Sequence, residues 1–426
     1  MSARKLICLM LILTLSVTCM ASCSLVIGGM GDYMTREEIE NLLDGRMDGQ
    51  VTVEGGDNYN VTIDGSGDTD LIAASKGLLS AVSVYCVFQK SGYSGGYFPG
   101  ASTGTKEYAS GGAGVIYKLN KEEGTAYILT NYHVVYDSSS NTANHISDKI
   151  NVFLYGQEYT DYAIPATYVG GSMVYDLAVL KVEGSRILAQ SSAIEAEFAD
   201  SNQVSLLDTA IAIGNPEGEG ISATVGVVNV DSEYLEMTGA DGYTTVEMRV
   251  MRIDTAVNSG NSGGGLFNRQ GEVIGIVNAK MANSSVDNIG YAIPSNVAKY
   301  IAENIIYYCD GTDRESVYRC IMGITVISAN PRVDYDVETG RVRKLEDVVI
   351  ESVNAGSEAE GLLMKGDVVR SISVDGTEYS VTRIFMVVDS MLNARVGSEV
   401  IIKVTRDGED MSVTVPITEA SLTVSK

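Results

Sequence analysis

The stretch VNSGNSGGGLFN, residues 257–268, sets glycines at 260, 263, 264 and 265 around one serine, Ser262, just ahead of an apolar pair. A chain that only needs a packed core gains little from glycine there, because glycine loses more conformational freedom on folding than any other residue. Its use is backbone access. Acyl transfer requires N–H groups aimed at a developing oxyanion, and a main chain can present them only where side chains do not obstruct it. Gly260 and Ser262 stand two residues apart, a spacing from which a nucleophile's own loop can supply two donors to one oxygen, with Asn261 between them. Gly263 and Gly264 would let the following strand start close against a neighbour.

A serine hydroxyl is a poor nucleophile until a base takes its proton, and histidine is the base suited to neutral pH. The chain has two. His145 follows the polar run YDSSSNTAN, which has no evident means of holding a ring. His133 follows AYILTNY, where a strand end can fix it, so His133 is the expected base. An acid to orient the imidazole is harder to choose among 55 carboxylates. Asp176 stands directly before the alternating run LAVLKV, at a strand's edge. Asp254 is its nearest rival.

The text on either side is organised in blocks. Residues 76–308 hold many short runs rich in Val, Ile, Tyr and Thr, punctuated by Gly, Asn and Asp, such as AVSVYCVF, GAGVIYKL, KINVFLYG and TAIAIGNP. That is the pattern of antiparallel barrels or sandwiches. SNVAKYIAENIIYY closes the block, with Val297, Ile301 and Ile305 at helical spacing. Residues 316–420 then mix strand and helix patterns at the length of a separate small domain. Ahead of the barrels, residues 24–75 are Gly- and Asp-rich and read as a flexible tether with one short helix, where Thr35 and Glu38 form a capping box before Ile39, Leu42 and Leu43.

Composition narrows the function. The formal charge is −25, with 55 acidic against 30 basic residues, and such a polyanion is repelled by phosphate backbones, which excludes nucleic acid as a partner. At the N-terminus Arg4 and Lys5 precede an apolar run over residues 6–17, too short to span a bilayer and suited to an export signal. MASC, ending at Cys23, is similar to a bacterial lipobox, in which the cysteine is lipidated and becomes the mature N-terminus. Ordinary cleavage near Ala21 or Ser22 and an uncleaved anchor are the alternatives, and all three readings place the protein outside the cytoplasm, at the cell surface or in a periplasm. Beyond residue 23 only Cys86, Cys309 and Cys320 remain. An odd count without paired spacing is neither a disulfide framework nor a zinc site, and free thiols are expected at Cys309 and Cys320. No metal or other cofactor is called for.

In combination, ILTNYHVV, YDLAVLKV, AIAIGNPEG, DTAVNSGNSGGGLFNRQGEVIGIVNA and GYAIPS resemble the trypsin-like proteases of the HtrA/Deg group, in the order His, Asp, Ser and across most of residues 76–300. The resemblance implies a mainly β fold with a chymotrypsin-like double β-barrel. It makes His133 the general base, Asp176 its orienting acid and Ser262 the nucleophile, with an oxyanion hole from the amides of Gly260, Asn261 and Ser262. Asp254 becomes structural. A specificity pocket at Val257, Ile276, Val277 and Asn278 is implied, with no acid where a basic side chain would need one, so that small or medium apolar side chains are preferred before the cut. The sequence departs from the group at Ser259 and Gly265, where proline is frequent. CIMGITV with GLLMKGDVV is similar to a small α/β PDZ domain, whose loop Met322, Gly323 and Ile324 would capture a peptide carboxylate. The implied activity is cleavage of unfolded or C-terminally exposed proteins in quality control, by a chain that is a homotrimer in many relatives. The competing expectation is a non-catalytic peptide-binding or chaperone scaffold on the same fold.

Overall fold

The computed structural model describes residues 49–54, 60–65, 69–92, 104–158, 160–278, 289–337 and 340–425. Strands β1 (Gly49–Glu54) and β2 (Asn60–Gly65) pair antiparallel, with Val51 opposite Ile63 and Val53 opposite Val61. They belong to a unit separate from the rest of the chain. The second unit opens with helix α1 (Thr69–Ser80), which buries Ala73. A Cβ on Gly77 would fall 2.3 Å from Ile213, so the helix approaches the barrel strand there at glycine distance. The expected tether of 24–75 therefore holds a hairpin, since QVTVE and NVTID alternate β-branched residues, and its last residues are the first turns of a docked helix. The export segment, Cys23 and the helix expected near Thr35 lie outside the described residues.

Six strands close the first barrel: β3 (Ala81–Gly92), β4 (Gly104–Asn120), β5 (Thr125–Thr130), β6 (Lys149–Leu154), β7 (Ile164–Ser172) and β8 (Leu177–Val182), in the ring order β3-β4-β5-β8-β7-β6. The two-residue period decides which side chains fill it. Val82, Val84, Cys86 and Phe88 of β3 all join one buried cluster with Ala126 and Ile128 of β5. A short helix, α2 (Tyr132–Val135), follows β5. The second barrel, β9 (Thr209–Gly214), β10 (Ser222–Thr238), β11 (Thr245–Ile253), β12 (Gly265–Phe267), β13 (Val273–Val277) and β14 (Gly290–Pro294), closes in the order β10-β11-β14-β13-β12-β9. Ala210 and Ala212 of β9 face its interior. Ile211 and Ile213, on the opposite face, join Leu129 and Val179 of the first barrel in the core between the two. Each such fully buried Leu or Ile contributes roughly 1.5–3 kcal/mol, so the seam between the barrels is held as firmly as either interior. Helix α3 (Ser295–Cys309) covers that seam with Val297, Ile301 and Ile305.

The C-terminal domain runs beyond the expected residue 420, because β22 (Leu422–Ser425) pairs with β15 (Val317–Cys320). Between them β16 (Ile324–Asp336), β17 (Arg341–Val353), β18 (Val368–Val374), β20 (Glu399–Arg406) and β21 (Glu409–Pro416) form one sheet in that order. β19 (Thr377–Ser380) hangs on β18, and helix α4 (Phe385–Met391) packs alongside. The strand β16 is an edge. Cys86, Cys309 and Cys320 are free and buried, and burial pushes the Cys86 thiol up to about 12, which leaves it inert.

This domain is pinned to the second barrel through charge. Arg249 of β11 bonds Asp389 of α4, with both side chains buried, and its guanidinium lies 3.6 Å from the centre of the Phe385 ring. Burial lifts the Asp389 carboxyl above its ordinary range against the pull of Arg249. A buried pair of this kind adds little net stability, yet truncating one partner strands the other charge. Asp389→Leu or Arg249→Leu alone is expected to cost about 3–5 kcal/mol in chemical denaturation. The double replacement should recover most of that; equal and additive single losses would contradict the assignment.

Candidate active site

The turn that carries the histidine is built by its neighbours. Thr130 ends β5 and its hydroxyl donates to the Ala113 carbonyl at 2.7 Å. Asn131 then adopts extended backbone and α2 begins, with Val134 and Val135 buried beneath it. His133 is thereby held at a strand end, partly open to solvent, while His145 lies elsewhere in a polar turn with its Nδ1 on the Ser140 carbonyl.

Asp176 meets His133 twice. Its Oδ2 lies 2.6 Å from His133 Nδ1, and its Oδ1 accepts the His133 main-chain N–H at 2.9 Å. An ionised carboxylate only accepts, so Nδ1 carries the proton and Nε2 is left with the lone pair a general base needs. Two carboxamides complete the arrangement. Asn278 donates from Nδ2 to Asp176 Oδ2 at 2.8 Å, and Asn131 donates from Nδ2 to the Asp176 main-chain carbonyl at 2.8 Å. Asp176 itself sits at φ +48°, a left-handed conformation that costs a residue with a side chain on the order of 1–3 kcal/mol. Asp254, by contrast, accepts the Val227 amide through Oδ1 at 2.7 Å within the second barrel.

The glycines around Ser262 explain how the other half reaches the histidine. The Ser262 carbonyl accepts the Ala113 amide at 2.8 Å, and Gly263 N–H donates to the Val277 carbonyl at 3.0 Å. Gly263 has φ +86°, and a Cβ there would lie 2.2 Å from the Ala113 oxygen and 2.3 Å from Thr130 Oγ1. Only glycine fits. The serine loop is thus pressed onto the Thr130–Asn131 corner, two residues before His133. On the other side of the contact, a Cβ on Gly112 would meet both the methyls of Val134 and the Ser262 carbonyl. The barrel seam therefore brings the serine loop and the histidine turn together.

Gly260 turns at φ +95°. Its carbonyl accepts from Asn215 at 3.2 Å, while the amides of Gly260 and Ser262 have no partner among the described residues. The Asn261 amide, expected as a third oxyanion donor, instead donates to the Asn258 carbonyl at 3.0 Å, closing the turn that aims its two neighbours. The pocket residues also divide. Val257 packs against Gly290. Ile276 is buried in the seam between the barrels and Val277 in the second barrel's interior, so both serve packing. Asn278 is turned onto Asp176. Its role, and that of Asn131, escaped the sequence reading because an isolated asparagine at a strand end carries no periodic signal.

In the C-terminal domain Met322, Gly323 and Ile324 do line one groove, of about 230 Å³, with Val387, Val388 and Met391 of α4 on the far wall. Gly323 has φ +81° and leaves no room for a Cβ beside Ser357. Arg319 reaches from the groove's end to the Tyr175 hydroxyl at 2.8 Å.

Residues 112–276 match the family model described as "Trypsin-like peptidase domain". The chain is 33% identical over 324 residues to "Serine protease Do-like HtrA" of Bacillus subtilis, an alignment that takes in 73% of this chain and 64% of that protein, under two thirds of its length. It is 29% identical over 372 residues to "Serine protease Do-like HtrA" of Lactococcus lactis subsp. cremoris, covering 83% of this chain and 84% of the relative. The solved structure "HtrA-type protease AlgW with decapeptide" aligns with a TM-score of 0.49 and 26% identity, over 81% of this chain and 97% of that one.

Proposed function

The chain belongs to the HtrA family of trypsin-like serine proteases, and on that footing we propose that it is an exported endopeptidase cleaving unfolded or damaged proteins through a covalent acyl-enzyme at Ser262. The observation that carries the reading is the Asp176–His133 contact, which leaves Nε2 without a partner among the described residues, beside a serine loop pressed onto the Thr130–Asn131 corner whose Gly260 and Ser262 amides are unengaged among those residues. His133 Nε2 takes the Ser262 proton as Oγ bonds to the scissile carbonyl carbon. The carbonyl oxygen gains the electron pair and is met by the amides of Gly260 and Ser262. When the C–N bond breaks, the imidazolium gives its proton to the departing amine, and Asp176 stabilises the cation meanwhile. Water, deprotonated by the same nitrogen, then attacks the ester and restores the serine hydroxyl. Small or medium apolar side chains are the preferred fit before the cut.

The C-terminal domain reads as a PDZ module that receives a peptide along the β16 edge, its terminal carboxylate meeting the amides of Met322 and Gly323, which have no partner among the described residues. The basic and apolar opening of the sequence directs export, and lipidation at Cys23 would tether the chain to a membrane surface. Trimer formation through the protease domain accords with the family.

The test uses casein as an unfolded substrate with a folded protein as control, and labelled peptides ending in an apolar residue with a free or an amidated C-terminus. Casein is expected to be degraded and the folded control spared. The free carboxylate should bind at least tenfold more tightly than the amide. No turnover by the wild type would remove the protease reading, and equal peptide binding would remove the groove assignment alone.

A further inference from the structure

Asn131 occupies the N-cap of α2, where an asparagine ordinarily accepts an amide of the first helical turn through its side-chain oxygen. Here it makes no such bond. The residue is fully buried, its Oδ1 has no partner among the described residues, and its carboxamide donates from Nδ2 to the Asp176 carbonyl at 2.8 Å. A buried acceptor left open disfavours the folded state and calls for an explanation, and the helix cap does not supply it. What the donation does secure is a left-handed Asp176, φ +48°. That single backbone conformation lets one carboxylate reach back to both the main-chain amide and the Nδ1 of His133. Asn131 also forms the corner against which Gly263 is pressed, so the same residue faces all three parts of the site.

Resting on the protease reading, we propose that Asn131 is a positioning residue for the catalytic acid: by holding the Asp176 main chain it sets the direction of the carboxylate and through it the imidazole. It contacts neither substrate nor the reacting atoms. Asn278 holds the same acid by its side-chain oxygen, so the two asparagines grip opposite ends of one residue.

The test measures peptide hydrolysis, thermal melting and the deshielded Nδ1–H proton signal of His133 on the full chain carrying Asn131→Ser or Asn131→Leu. Serine is as good an N-cap as asparagine, so a capping role predicts no change for Asn131→Ser. Leucine keeps the volume and removes the open acceptor. Because small misplacements of reacting groups cost up to about 100-fold, kcat is expected to fall roughly 10- to 100-fold. KM should stay within about twofold and the Nδ1–H signal should broaden or vanish, while melting is little changed. His145 is the one other histidine, and His145→Gln identifies its signal. Wild-type kcat with an intact signal in either variant, or a loss of kcat that merely follows the unfolded fraction, would overturn the proposal. A wild type that hydrolyses nothing would instead strike the protease reading on which it rests.

Discussion

Ser262→Ala is expected to lower kcat/KM for peptide hydrolysis by about a millionfold, while the protein should melt at nearly the wild-type temperature. The bonds that hold the serine loop are main-chain bonds, from Ala113 to the Ser262 carbonyl and from Gly263 to Val277. Removing one hydroxyl leaves them all in place. What is lost is the Oγ proposed to accept the acyl group. His133→Ala should cost about the same, since an unactivated serine is nearly as inert as none. The double variant should be no worse than either single one, because the two act as a unit. Residual turnover then reports what the amides of Gly260 and Ser262 achieve by binding alone. Additive losses in the double variant would show that the two residues work separately.

Asp176→Asn is expected to reduce kcat by about 10⁴-fold with little effect on KM. Two carboxylate oxygens here accept three donors: the His133 amide on one, and His133 Nδ1–H with Asn278 on the other. A carboxamide has a single acceptor. Turned one way, its NH₂ opposes the His133 amide; turned the other way, it opposes both Asn278 and the ring. Relief in the second case comes from moving the imidazole proton to Nε2, which removes the base. The side chain is nearly isosteric and Asn131 still holds the main chain, so the melting temperature should fall by only a few degrees. Steady-state kinetics beside a thermal melt separates this from unfolding, and a kcat within tenfold of wild type would show that Asp176 does not orient the base.

How much of this could be read before any coordinates follows the range of each signal. The barrels were legible because short runs rich in Val, Ile and Tyr write themselves into the chain, KINVFL with burial on alternate residues and LAVLKV buried almost throughout, and the pairing of His133 with an acid was within reach because only two histidines compete. Helix α3 was legible from Val297, Ile301 and Ile305. The close approach expected at Gly263 is present, yet which surface it meets, the Ala113 carbonyl and Thr130, depends on a contact between barrels that no local pattern encodes. The same holds for Asn278, whose partner is 102 residues away, and for Arg249 and Asp389, which are 140 residues apart. Asn261 was misassigned for a local reason: its amide turns back to Asn258, which spacing alone does not reveal. Helix α1 was underestimated because Gly77 and two serines, Ser75 and Ser80, dilute its apolar face, and the barrel it covers supplies the missing stability.

The central claim is that an imidazole oriented by Asp176 activates one hydroxyl in this chain. Reaction with a fluorophosphonate, followed by mass mapping of the modified peptide in wild type, His133→Ala and Ser262→Ala, addresses it directly. A single adduct on Ser262 that forms orders of magnitude more slowly without His133 is the predicted result. An adduct on any other serine, or labelling of Ser262 at the same rate when His133 is gone, would contradict it.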